Sequence, residues 1–136
     1  MNDHMKQVLA FGLIMSGIFI LLYVGKAHAE YTDEQIVNAI YKAEGGDHAE
    51  YPYGIRSVSC GTRDECRKIC RNTVKNNRLR YAQYGKKSHP DFITFLASRY
   101  CPVGAGNDPK NLNKNWIKNV RYFLNEASNK TIAHSK

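Results

Sequence analysis

Glu44 is the ionisable residue whose type conflicts with its position. It follows Ile40 by four residues and Val37 by seven. On a helix it therefore projects from the apolar stripe and not from the wet face. It also falls in the last helical turn, where the macrodipole presents its negative end. Lost hydration and the dipole both disfavour the carboxylate and raise the pKa of the acid. A carboxylic acid that keeps its proton near neutral pH can deliver it to the leaving oxygen of a bond being cleaved. The plainer reading is a side chain that reaches past the helix end to solvent or to a basic partner. Breaks of local pattern of this kind mark functional sites.

Two further carboxylates lie close by, Asp47 and Glu50, and either could assist an attacking water. Asp47 equally suits the capping of a turn. His48 beside Asp47 lacks a nucleophile motif, and neighbours in a loop rarely face each other, so no catalytic dyad is expected. Tyr51, Tyr53, Tyr100 and Trp116 are flat faces on which a ligand could stack. Trp116 stands at helical spacing and is expected in the core. Tyr53, in the turn Tyr51-Pro52-Tyr53-Gly54, is expected to touch ligand directly.

The elements that must position these residues are mostly helical. Thr32 with Gln35 forms a capping box for a helix over about 33–44, ended by Gly45-Gly46. Ile55 to Cys60 alternates well enough for a short strand, so a β-hairpin or an irregular segment is expected after the first helix. Thr62 with Glu65 starts a second helix that runs to about Tyr84. Cys66, Cys70 and Val74 mark its buried face, and Arg63, Arg67, Lys68, Arg71, Lys75, Arg78 and Arg80 make its other faces basic. Pro90 suits the first turn of a third helix with Phe92, Ile93, Phe95, Leu96 and Tyr100 inside. A fourth helix over about 113–124 carries Trp116, Val120, Phe123 and Leu124 on one face. Residues 125–136 read as a polar, flexible tail.

Cys60, Cys66, Cys70 and Cys101 are even in number, which in an oxidising compartment predicts two disulfides. Of the three pairings, Cys60–Cys66 with Cys70–Cys101 is favoured. Zinc is the rival use, but there is no Cys-x-x-Cys and His89 is the only histidine near, so no metal centre is expected. Nothing suggests a cofactor.

The oxidising compartment follows from residues 1–29. Lys6 precedes an uncharged apolar run from Val8 to Gly25, and Ala27-His28-Ala29 offers a small-x-small cleavage site. A cleaved signal peptide and a periplasmic or secreted domain over 30–124 are expected. An uncleaved anchor is the alternative. Lys and Arg number 20 against 12 Asp and Glu, for a net charge of +8. A basic exported domain favours anionic polymers or an anionic membrane surface.

The stretch Ala39-Ile40-Tyr41-Lys42-Ala43-Glu44-Gly45-Gly46, with Tyr53-Gly54-Ile55 and Ser57 after it, resembles the active-site region of lysozyme-like lytic transglycosylases. Phe95 to Pro102 and Asn113 to Val120 are similar to the later segments of a small secreted branch of that superfamily. The resemblance spans about residues 33–124. It departs from the larger members where Arg56 follows Ile55, in place of their Gly-Leu-Met-Gln continuation. It implies a small lysozyme-like fold and a monomer that binds peptidoglycan glycan strands and no specific nucleic acid. Glu44 would be the catalytic acid/base for the β-1,4 bond between N-acetylmuramic acid (MurNAc) and N-acetylglucosamine (GlcNAc). Tyr53, Gly54, Ser57 and Tyr100 would contact substrate. Three alternatives stay open: a muramidase that uses water, a non-catalytic wall-binding or envelope-assembly module, and a cationic effector acting through the basic helix.

Overall fold

The computed structural model describes residues 30–108 and 110–133. The expected leader, residues 1–29, lies outside the described residues. Helices α1 (Asp33–Ala43), α2 (Arg63–Gln83), α3 (Phe92–Tyr100) and α4 (Trp116–Ala133) carry the fold. They close a ring in which α1 packs on α2 and α4, and α3 packs on the same two helices. Among the described residues no helix is long and apolar enough to cross a membrane.

Local chemistry sets the helix starts. Thr32 accepts from the Gln35 N–H at 3.2 Å, and Gln35 returns a bond to the Thr32 N–H at 2.8 Å. Thr62 and Glu65 repeat the device at the head of α2. These reciprocal bonds satisfy N–H groups that the first turn leaves without partners. α3 is capped by Asp91, which accepts from the Thr94 N–H at 2.9 Å, so Pro90 stands just ahead of the cap and outside the first turn.

Ile36, Val37 and Ile40 of α1 meet Cys70 and Val74 of α2, Leu96 of α3, and Val120 and Leu124 of α4 in one buried core. Each such side chain stabilises the fold by roughly 1.5–3 kcal/mol through lost water contact. The expected stripes on all four helices face inward, as their spacing requires.

Three expectations need correction. No strand occurs among the described residues, since Ile55 to Cys60 has no strand to pair with. The segment between α1 and α2 is irregular, with single 3-10 turns at Gly46–His48 and Pro52–Gly54. Only Cys60 and Cys66 are joined, and Cys70 and Cys101 are free. The Cys70 sulfur is met at 3.7 Å by the Tyr100 hydroxyl, while Cys101 leaves the helix into the following loop. The fourth helix does not stop near Leu124 but continues to Ala133. Asn125 accepts from the Tyr31 hydroxyl at 2.9 Å, and Glu126 pairs with Lys42 and Lys130.

The basic surface of α2 is partly neutralised. Arg67 and Arg71 bind Glu34, and Arg78 binds Asp33 and the Tyr31 carbonyl, each at 2.7 Å for Arg78. Arg63 pairs with Asp47. These arginines hold the acidic first turn of α1 against α2. The pairs are half-exposed, and each contributes on the order of 0–1 kcal/mol.

The Cys60–Cys66 bridge closes a loop with sequence separation 6 and pins the end of the irregular segment to the first turn of α2. Replacing both cysteines by serine is expected to lower stability by about 2 kcal/mol, read from chemical denaturation of both proteins.

Candidate active site

Glu44 caps the C-terminal end of α1 and donates its own N–H to the Ile40 carbonyl at 2.9 Å. Gly45 then takes a left-handed conformation, φ 104°, and turns the chain away. The carboxyl is left at the inner edge of the helix. The Trp116 Nε1–H donates to Glu44 Oε1 at 2.9 Å. Burial pushes the Glu44 pKa above the ordinary carboxylate value, while the bond from Trp116 and the charge of Arg56 pull it part of the way back. Desolvation wins, as expected for an acid on an apolar stripe.

The loop from Tyr51 to Gly54 covers one side of this group. Tyr53 and Gly54 both sit at positive φ, 60° and 67°. A Cβ at Gly54 would lie 2.6 Å from the Glu44 carboxyl carbon, so glycine is the residue that lets the loop backbone approach the acid. The Tyr53 ring is 2 % exposed, which overturns its expected contact with ligand. It packs 5.1 Å from the Tyr41 ring and accepts from Arg67 Nη1 at 3.3 Å. Its left-handed backbone points the side chain into the core, where it anchors the loop.

Tyr100 is also turned inward. Its hydroxyl donates to the Tyr53 carbonyl, and its ring lies 5.6 Å from that of Trp116. It braces the loop against α4 and presents one edge to the cleft. Burial raises the pKa of its hydroxyl and pushes the Cys101 thiol up to about 11.

An open cleft of about 620 Å³ runs past these groups. The structure brings Glu44, Gly54, Ser57 and Tyr100 together on its walls, with Glu50 and Tyr51 at the same cleft. Asp47 is not among the lining residues. It accepts from the Tyr41 hydroxyl and pairs with Arg63, and these hold its pKa below the ordinary value. Three charged lining residues were not among the expected site residues. Arg56 and Arg99 bring positive charge to the walls, and Asp108 brings a carboxylate whose oxygens accept from the Leu112 and Asn113 N–H groups at 2.8 and 2.9 Å. Asp108 ahead of Leu112 and Asn113 is a turn-capping pattern that could have been found. The bond from Trp116 to Glu44 had no local signal.

The arrangement is that of a half-buried carboxylic acid at the wall of an open cleft. Comparison with protein-family models, with curated proteins and with solved structures finds no significant match to this chain.

Because the folded-state pKa of Glu44 is raised, the ionised carboxylate destabilises the fold. Stability linked to this group is full below the unfolded carboxylate pKa and is lost as pH rises through the folded value. Glu44→Gln is therefore expected to melt above wild type at about pH 8 and together with it at about pH 4. Thermal melts across that range decide it. Gly54→Ala is expected to cost more than about 1 kcal/mol, because it combines a left-handed φ with displacement of the Glu44 carboxyl from its bond with Trp116. Denaturant titration of the variant measures the loss.

Proposed function

We propose that this chain cleaves peptidoglycan as a small lysozyme-like lytic transglycosylase, with Glu44 as its single acid/base. The observation that carries the reading is the Glu44 carboxyl itself: desolvated, bonded on one oxygen by Trp116, and set on a cleft with room for sugar rings. The resemblance of the 39–57 region to lytic transglycosylases supports the choice of reaction.

The chemistry balances on one proton. With Oε1 engaged as an acceptor by the Trp116 N–H, the acid proton resides on Oε2. Glu44 gives that proton to the glycosidic oxygen between MurNAc and GlcNAc as the C–O bond breaks. The resulting carboxylate then takes a proton from the C6 hydroxyl of the same muramic residue. That oxygen closes on the anomeric carbon and leaves a 1,6-anhydro end. The acid is restored, and no water is consumed. The bond from Trp116 and the charge of Arg56 both favour the carboxylate and so stabilise the intermediate stage.

A muramidase is the second reading, and Glu50 on the same cleft favours it. Glu50 would activate a water and Glu44 would remain the acid. Export to the periplasm or beyond belongs to either reading, and the Cys60–Cys66 bridge fits an oxidising compartment.

Wild type is expected to clear peptidoglycan in a gel overlay, and Glu44→Gln to lose at least about 100-fold in rate. Mass spectrometry of the released fragments separates the readings. Anhydro ends support the transglycosylase and reducing ends the muramidase. No clearing by wild type sinks both and leaves a wall-binding or assembly module.

A further inference from the structure

The cleft carries two guanidinium groups whose charge nothing else on its walls consumes. Arg56 and Arg99 both line it, and neither forms an ion pair among the described residues. On α2, Arg63, Arg67, Arg71 and Arg78 are paired with carboxylates of α1 and its following loop. The contrast sets these two apart from the general basic surface.

Both groups are laid over aromatic rings. The Arg56 guanidinium carbon lies 4.9 Å from the Tyr51 ring centroid, and that of Arg99 lies 5.9 Å from the Phe95 ring. Stacking restricts a long side chain while leaving its fork of donors open at the edge. A restrained fork loses less entropy when it grips a planar carboxylate. The carboxylates of the cleft compete weakly. Burial raises the Glu44 pKa and its Oε1 already accepts from Trp116, and both Asp108 oxygens already accept backbone N–H groups. Glu50 is exposed at the wall, and Asp108 keeps its negative charge while its oxygens are engaged by backbone donors. Arg56 also stands close enough for its charge to act on Glu44.

We propose that Arg56 and Arg99 are specificity-determining residues that seat the carboxylates of an anionic glycan, so that the cleft takes carboxylate-bearing strands over neutral N-acetylglucosamine polymers. This deepens the glycan-cleaving reading above and rests on it for the choice of sugar. Two sources could supply the carboxylate: the lactyl group of a peptide-free muramic residue, or the stem peptide attached to it.

The test is calorimetric binding to the full exported chain carrying Glu44→Gln, with three ligands: the neutral N-acetylglucosamine tetramer, a peptide-free muramyl tetrasaccharide and a peptide-bearing one. At low salt a carboxylate-bearing ligand is expected to bind about 10-fold tighter than the neutral tetramer, and the margin should shrink as salt rises. Tight binding of the peptide-free strand assigns the lactyl carboxylate. Tight binding of the peptide-bearing strand alone assigns the stem. Arg56→Gln and Arg99→Gln should each reduce the margin and together remove it, with melting temperatures matching the parent. Arg56→Lys should keep part of it, because charge remains while the fork is lost. Equal affinity for the neutral tetramer overturns the proposal, as does a margin that survives in the double variant. The outcome is separable from catalysis. Wild type that leaves peptidoglycan intact, with the arginine-dependent margin present, removes the enzymatic reading and keeps the anion site.

Discussion

Glu44 and Trp116 lie 72 residues apart in sequence and 2.9 Å apart in space. That contact fixes what the rest of the fold must do. α1 has to end where its last side chain faces inward, and α4 has to begin with its indole N–H aimed at the same point. The closed ring of helices meets both requirements, since α1 and α4 pack directly on each other. Neither partner could be left alone. A buried carboxyl without a donor and a buried indole N–H without an acceptor would each be costly, by roughly 1–3 kcal/mol.

The site divides into a dry side and a wet side. Tyr53, Tyr100 and Trp116 are turned inward and bind one another, the loop backbone and the acid. They are positioning groups, and their aromatic surface is spent on the core. Arg56, Ser57 and Glu50 face the cleft from exposed positions. Glu44 stands on the boundary, its pKa raised by burial while its side chain still lines the cleft. The backbone of Gly54 keeps the boundary narrow, because any side chain there would occupy the place of the carboxyl.

The features that were legible in the sequence are those written in local spacing. The two capping boxes need only a residue and its third neighbour, and both formed as expected. The inward face of Glu44 followed from helical periodicity alone. Tyr53 was misread because Tyr-Pro-Tyr-Gly is turn chemistry, and turns are usually wet. Its left-handed backbone reverses the side chain, and no pattern of residue types announces that. Cys70 and Cys101 were misread because periodicity places a residue on a face but does not say which neighbour fills the gap. Tyr100 fills it. The continuation of α4 past Leu124 rests on contacts from Tyr31 and Lys42, distant in the chain, so a polar composition suggested a tail. The pairing of the α2 arginines with Asp33 and Glu34 was hidden for the same reason.

The distance along the chain between the acid and its indole partner also has a temporal meaning. A polypeptide made from its N-terminus presents Glu44 early and Trp116 late. Until the final helix emerges and docks, the carboxyl stays hydrated and sheds its proton like any surface glutamate. The environment of the carboxyl is thereby tied to completion of the fold: a chain that ends before Trp116 lacks the indole that meets Glu44.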